Sequence, residues 1–158
     1  MSAPSVGDPA PLFDLPGTGG RTYSLAERIG QGTGDLVTVL VFYPGDHSPV
    51  CTAQLNAYAN DFSAFGQLGA TVWAVSPQSV ESHEGFLAEH GFPFPLLADI
   101  DKGVGAAYGI LGPVGFYRRS VFVVDCRGIV RYAHRALSGL TFRTTGELME
   151  AVRTARGA

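Results

Sequence analysis

Apolar residues along the chain form continuous runs and stripes at helical spacing. The clearest run, residues 36–43, is rich in β-branched side chains, which is typical of a central strand buried on both faces. Residues 70–76 predict a second buried strand, and residues 94–98 predict a short extended segment. Residues 120–125 and 129–133 predict two further strands that flank a hairpin-like turn.

Helices are predicted between and after these strands. One apolar stripe recurs at steps of three and four and predicts a single helix: Leu55, Tyr58, Phe62 and Phe65. Ser79 suits the N-cap of a second helix that stops at Gly91. A last helix is predicted over residues 145–156.

The alternation of strands and helices indicates an α/β layer fold. Its order, β-α-β-α-β-β-α, predicts a thioredoxin-like fold with a central mixed sheet flanked by helices on both faces. The 158 residues suit one hydrophobic core and contain no repeat or linker, so we expect a single domain over residues 1–158.

Composition and charge exclude several classes of protein. The chain is 46% hydrophobic and 16% charged, as a folded globular protein is, and its net charge is −3. It has no cluster of Lys and Arg, so we expect no nucleic-acid or membrane partner. Its longest apolar run is far short of the ~20 residues of a membrane helix. With no visible export signal and only two cysteines, we expect a reducing cytoplasm.

The candidate chemistry lies in the loop that follows the first predicted strand. Ser48 suits a helix N-cap and Pro49 the first helical position, which places Cys51 near the third. The helix dipole and free backbone N–H groups favour an anion there, so we expect a reactive thiolate. Because Leu55 begins the apolar stripe four residues later, we expect Cys51 to be half-buried. The alternative is that Cys51 packs as a small apolar residue.

Several segments resemble the peroxiredoxin family. The spacing Pro44-x-x-x-Ser48-x-x-Cys51 is similar to the family's active-site motif, Pro-x-x-x-Thr/Ser-x-x-Cys. Four further segments are similar to the family in the same order, and the middle two resemble its Q-type or bacterioferritin-comigratory branch: residues 6–15, 76–83, 92–99 and 119–125.

The resemblance implies a thiol-dependent peroxidase that needs no cofactor or metal. Cys51 would attack the peroxide and become a sulfenic acid. Ser48 would hydrogen-bond the peroxide and the thiolate, and Arg119 would hold the thiolate and stabilise the charge on the leaving oxygen. Pro44 would shield the pocket from water, and Gln54 would orient the arginine.

Some of these assignments have alternatives. Ser48 can be a plain helix cap as well as a peroxide ligand. Arg119 can be a surface charge, and Arg118 competes with it; Arg119 is preferred because its spacing to Asp125 resembles that of the family. His47 could add positive charge beside the thiolate, but an exposed loop histidine without a role is the simpler interpretation. A zinc site at His47 and Cys51 lacks further ligands at usable spacing.

The resemblance also raises the question of a second, resolving cysteine. The Q-type branch often has one five residues after the first, where this chain has Asn56. Cys126 lies seven residues past Arg119, which predicts roughly 20 Å between Cys126 and Cys51 in an extended strand. A disulfide needs Cα atoms within about 7 Å. We therefore expect a one-cysteine cycle, with a low-molecular-weight thiol or a thioredoxin-like protein as external reductant. Family members often dimerise through edges near the active site, which allows a homodimer.

Two rival functions stay open from the sequence alone. One is a thiol–disulfide oxidoreductase on the same fold, although the chain lacks the CxxC pair that thiol exchange usually needs. The other is a non-catalytic interaction or holdase protein, although the motif around Cys51 is intact.

Overall fold

One sheet organises the part of the chain that the structure describes. The computed structural model describes residues 3–30, 36–136 and 141–157. Within them seven strands pair in the order β2-β1-β5-β4-β3-β6-β7. The strands are β1 (Asp14–Gly17), β2 (Arg21–Ser24), β3 (Val37–Phe42), β4 (Ala70–Ser76), β5 (Leu96–Ala98), β6 (Ser120–Val124) and β7 (Val130–Arg135).

The sheet is mixed, and β3 is the strand where its direction changes. β3 runs parallel to β4 and antiparallel to β6. Every residue of β3 is buried, as expected for a strand covered on both faces. Phe42, the last residue of β3, pairs with Ser120, the first residue of β6. The segment that follows β3 therefore begins beside the segment that precedes β6.

Helices and turns cover the two faces of the sheet. The α-helices are α1 (Pro49–Asn60), α2 (Phe62–Gln67), α3 (Val80–His90), α4 (Gly103–Ala107) and α5 (Thr145–Arg156). Alternate residues of β3 point to opposite faces: Val39 and Val41 pack in the layer that contains α1, α2, α3 and α5, whereas Leu40 and Phe42 pack with α4 and the N-terminal segment. The predicted thioredoxin-like fold with helices on both faces is confirmed.

The capping signals locate two helices accurately. The Ser79 hydroxyl accepts a hydrogen bond from the Ser82 N–H at 3.1 Å, and Gly91 ends α3 in the left-handed conformation at φ 66°. α5 has the predicted bounds, and its N-cap, Thr144, accepts from the Glu147 N–H. The ends of the four predicted strands differ from the observed ones by at most two residues.

The single helix predicted from Leu55 to Phe65 is wrong. The backbone leaves helical geometry at Asp61, with φ −107° and ψ 14°, and α2 starts at the next residue. This break lets Phe62 pack against Phe94, with ring centroids 5.9 Å apart. Periodicity alone could not reveal the break, because a one-residue interruption preserves the spacing of the stripe.

The sequence did not predict the short elements β1, β2 and α4. β1 and β2 form an antiparallel hairpin of four residues each, and β1 joins the main sheet where Gly17 pairs with Leu97. α4 has only five residues. Elements this short give too few positions for a periodic signal. In the described residues, no helix combines the length and the apolar character that crossing a membrane requires.

Candidate active site

Cys51 lies in the first turn of α1, directly after the loop that follows β3. Ser48 is the N-cap, with extended φ −71° and ψ 144°, and its Oγ accepts a hydrogen bond from the Cys51 N–H at 3.2 Å. Pro49 occupies the first helical position, where its missing N–H has no cost. Cys51 is therefore the third helical residue, where the helix dipole favours an anion.

Cys51 is more deeply placed than its sequence pattern indicates. Its side chain has 0% exposed area, so the predicted half-burial is wrong. Cys51, Leu55 and Tyr58 share the face of α1 that packs on the sheet, and Tyr43 belongs to the same buried layer. The apolar stripe in the sequence predicted one buried face of the helix. It did not predict that residues from elsewhere in the chain, such as Tyr43, also bury the N-terminal end of that helix.

Arg119 supplies a buried positive charge at the thiol. It precedes β6, is 4% exposed, and its Nη1 donates to Cys51 Sγ at 3.3 Å. The same nitrogen donates to Gln54 Oε1 at 2.6 Å. A guanidinium stays protonated even when buried, so this contact favours the thiolate over the thiol. The antiparallel pairing of β3 with β6 brings the two residues together across 68 positions of sequence.

Gln54 is hydrogen-bonded to Tyr58 on its side away from Arg119. Both side chains are fully buried on α1, and Gln54 Nε2 donates to Tyr58 Oη at 3.4 Å. The Tyr58 hydroxyl in turn donates to the backbone carbonyl of Arg143 at 2.7 Å. Burial raises the pKa of Tyr58 to about 12, so this hydroxyl keeps its proton at neutral pH. In the sequence, Tyr58 stands out only as a member of an apolar stripe.

A second buried polar group fixes the loop that carries the site. Asp46 lies between Pro44 and Ser48, and its carboxylate meets His83 Nδ1 at 2.8 Å, with both side chains 0% exposed. The other ring nitrogen of His83 lies 2.9 Å from the carbonyl of Leu97 in β5. Both ring nitrogens of His83 therefore face oxygen acceptors inside the protein, and the imidazole bridges the loop before α1 to β5.

Two hydroxyl groups complete the environment of Asp46. Tyr43 Oη donates to Oδ1 at 2.7 Å, and Ser82 Oγ donates to Oδ2 at 2.6 Å. Burial alone would raise the pKa of Asp46, but the hydrogen bonds from His83, Ser82 and Tyr43 outweigh it and lower that pKa. Burial, and then the Asp46 charge, raise the pKa of Tyr43.

Little in the sequence marks this network. His83 follows Ser79 at one helical turn and precedes Phe86 by three residues, so it lies on the buried face of α3. A histidine in an apolar stripe is the one local signal that could have been noticed. Its partner Asp46 lies 37 residues earlier, and only the fold brings the two together.

Other candidate residues lie outside this cluster. Pro44 is half-buried directly after Tyr43. The His47 side chain is half-exposed, and its Nδ1 lies 3.2 Å from a Glu89 carboxylate oxygen. Arg118 Nε donates to the carbonyl of Ala136 at 3.1 Å. Cys126 is a free, partly exposed thiol in the turn beyond the far end of β6.

The assembled groups suit attack by sulfur on a small polar molecule. Cys51 is the candidate nucleophile, and Arg119 places a guanidinium against its sulfur. Ser48 Oγ accepts from the Cys51 N–H through a lone pair, so its own O–H can donate to a bound oxygen. In the described ranges, no three His, Cys, Asp or Glu side chains form a potential metal site.

Comparisons with known proteins agree with this geometry. The family described as AhpC/TSA matches residues 6–133. The selenocysteine-containing peroxiredoxin PrxU of Peptoclostridium acidaminophilum is 35% identical over 80% of this chain and 66% of its own length. The bcp protein of Coxiella burnetii is 30% identical over 79% of this chain and 84% of its own.

A solved structure adds the fold to this agreement. Peroxiredoxin Q of Xanthomonas campestris superposes with a TM-score of 0.78, is 27% identical, and covers 91% of both chains. The AhpC/TSA family match over residues 6–133 includes both Cys51 and Arg119. The chain therefore belongs to the AhpC/TSA family and is a thiol-dependent peroxidase of the peroxiredoxin kind.

Proposed function

We propose that this protein reduces hydrogen peroxide and organic hydroperoxides through a sulfenic acid on Cys51, and that an external thiol completes the cycle. The observation that carries the proposal is the 3.3 Å contact between Arg119 Nη1 and a buried Cys51 Sγ at the start of a helix. Helix N-terminus and guanidinium both favour the thiolate, which is the reactive form of cysteine.

In the first step the Cys51 thiolate attacks one oxygen of the peroxide. An S–O bond forms while the O–O bond breaks, and the sulfur is oxidised to the sulfenic acid. The departing oxygen takes up a proton and leaves as water or as an alcohol. Arg119 stabilises the negative charge that moves from sulfur to this oxygen.

The neighbouring residues have supporting roles in that step. Ser48 can donate its O–H to the bound peroxide, because capping the helix uses a lone pair of its oxygen and not the hydroxyl hydrogen. Gln54 orients Arg119 through its 2.6 Å hydrogen bond. Pro44 lies between the end of β3 and the cap, where an apolar ring limits the access of water.

The position of the second thiol supports the proposed one-cysteine cycle. Asn56 is on α1 five residues after Cys51, and Cys126 lies in the turn at the opposite end of β6 from Arg119. An external thiol would attack the sulfenic sulfur and release water, leaving a mixed disulfide. A second reductant thiol would then attack the sulfur of the first one in the mixed disulfide. This releases the Cys51 thiolate, and the two reductant thiols leave joined as a disulfide.

The test compares wild type with Cys51→Ser, using Cys126→Ser as the matched control. Peroxide consumption with dithiothreitol as donor should be lost in Cys51→Ser and retained in Cys126→Ser. Peroxide consumption that survives in Cys51→Ser would reject Cys51 as the nucleophile. Insulin disulfide reduction without peroxide consumption would instead support the rival function of thiol–disulfide exchange.

We also propose that the protein forms a homodimer. Two adjacent turns expose large apolar side chains, Ile100 at 64%, Val114 at 102% and Phe116 at 65%. Lys102 links the turns by donating to the carbonyl of Gly115, three residues before Arg118. Apolar surface of this kind is typical of an interface. We further propose a reducing cytoplasm as its location, because two cysteines are too few for a disulfide framework.

A further inference from the structure

We propose that Tyr58 is a positioning residue for Arg119, acting through the side-chain amide of Gln54. The inference rests on the proposed function of Cys51, because Arg119 is the group that contacts the reacting sulfur. Tyr58 itself is linked to that site through the Gln54 amide and Arg119, by hydrogen bonds along one buried row.

The row has a single consistent direction of hydrogen bonding. The guanidinium of Arg119 can only donate, so the atom of Gln54 that faces it at 2.6 Å must be the carbonyl oxygen. The amide nitrogen of Gln54 then points to Tyr58 Oη, 3.4 Å away. Tyr58 can accept this bond because its own proton is donated to the Arg143 carbonyl, which can only accept.

The Tyr58 hydroxyl therefore distinguishes the two ends of the Gln54 amide. If the amide turned over, its N–H groups would face the N–H groups of the buried Arg119, and the 2.6 Å hydrogen bond between the two side chains would be lost. The acceptor oxygen of Tyr58 opposes that turn from the other side. The anchor is rigid, since the Tyr58 ring also packs edge-on against Phe142 at 6.1 Å.

Spacing on α1 makes this relay a property of one helix face. Cys51, Gln54 and Tyr58 follow one another at steps of three and four, and all three are fully buried. The helix thus presents the nucleophile, the group that holds the arginine, and the group that orients that holder, in order along its axis. A phenylalanine at position 58 would fill the same space without an acceptor.

The test removes one oxygen atom with Tyr58→Phe. Peroxide should oxidise Cys51 about fivefold more slowly, and the pH midpoint of Cys51 alkylation by iodoacetamide should rise by about 0.7 unit, the equivalent of one buried neutral hydrogen bond. The matched control is Tyr108→Phe. Tyr108 is equally buried, and its hydroxyl also donates to a backbone carbonyl, that of Pro11 at 2.8 Å, but in the layer on the other face of the sheet.

A second background separates positioning from a general loss of stability. In Gln54→Glu, both carboxylate oxygens can accept from Arg119, so there is no amide orientation to maintain. The slowing caused by Tyr58→Phe should therefore be smaller in this background than in wild type. A stability loss would act equally in both, and urea unfolding of all variants measures it directly.

Each outcome decides the proposal. It is overturned if Tyr58→Phe keeps the wild-type oxidation rate and alkylation midpoint, if Tyr108→Phe changes them equally, or if the slowing persists undiminished with Gln54→Glu. Should the wild type consume no peroxide, the proposed function fails, but the alkylation midpoint still reports whether Tyr58 controls the environment of Cys51.

Discussion

Replacing Arg119 with glutamine should move the reactivity of Cys51 to higher pH and slow its oxidation. The substitution removes the positive charge and the Nη1 hydrogen bond at 3.3 Å from the sulfur. It also leaves the buried oxygen of Gln54 without the partner that it has at 2.6 Å. Both changes disfavour the thiolate relative to the thiol.

The expected size follows from the contact itself. Coulomb's law at an effective dielectric constant of about 20 gives an attraction of ~5 kcal/mol between unit charges at the observed 3.3 Å, before the opposing cost of burying the thiolate. Hydrogen bonds to charged groups contribute about 1.5–3 kcal/mol net. At ~1.4 kcal/mol per pH unit, the alkylation midpoint should rise by about one to two units.

The assay measures the rate of Cys51 alkylation by iodoacetamide against pH, in a Cys126→Ser background so that one thiol is observed. Second-order oxidation by hydrogen peroxide, measured in parallel at neutral pH, should fall at least about tenfold in Arg119→Gln. Arg118→Gln is the matched control, because Arg118 contacts the carbonyl of Ala136 rather than the sulfur. Arg119→Lys, which keeps the charge but loses the planar fork, should lie in between.

Two results would refute this reasoning. If Arg119→Gln leaves the midpoint at its wild-type value, then the arginine does not stabilise the thiolate. If Arg118→Gln has the larger effect, then the neighbouring arginine is the functional one. Circular dichroism of each variant shows whether a slow rate reflects lost chemistry or a lost fold.

Further predictions concern the second thiol and the buried carboxylate of Asp46. Cys126→Ser should oxidise at the wild-type rate, and one equivalent of peroxide should give a Cys51 sulfenic acid that dimedone traps; mass spectrometry that finds mainly a Cys51–Cys126 disulfide would contradict a one-cysteine cycle. Asp46→Asn should lower the free energy of unfolding by about 1–3 kcal/mol at pH 7, because it removes a buried carboxylate that accepts hydrogen bonds from Tyr43 and Ser82 and contacts His83. Because the pKa of Asp46 is lower in the folded protein than its usual value of 3.8, the ionised carboxylate stabilises the fold at pH values above 3.8. This contribution is lost as the pH falls through the pKa of the folded state. The difference between wild type and variant in urea titrations should therefore shrink below about pH 4, and an unchanged difference would count against the stabilising role of the ionised Asp46 carboxylate.

Local signals in the sequence were sufficient for much of the fold. Ser79 and Gly91 located both ends of α3, because a hydroxyl cap and a left-handed glycine act within one helical turn. The apolar run at β3 similarly predicted a strand buried on both faces. The interruption at Asp61 was missed, since it changes the backbone at one residue without changing the spacing of the apolar stripe.

The site was only partly accessible to the same reasoning. The cap at Ser48 and the helical position of Cys51 follow from neighbours in the chain. The choice of Arg119 came from the family resemblance, since no local rule pairs a residue before β6 with one after β3. The pair of Asp46 and His83 joins different elements of the fold and could not be found from either segment alone.

In the proposed mechanism, the pairing of β3 with β6 also determines when Cys51 becomes reactive. Helix α1 can form from local sequence, but the guanidinium at Cys51 comes from a residue 68 positions later in the chain. A growing polypeptide, or a chain whose sheet has opened at β6, therefore carries a thiol without its activating charge. The proposed mechanism therefore makes fast reaction with peroxide a property of the assembled native sheet, which the thiol of an incomplete chain would lack.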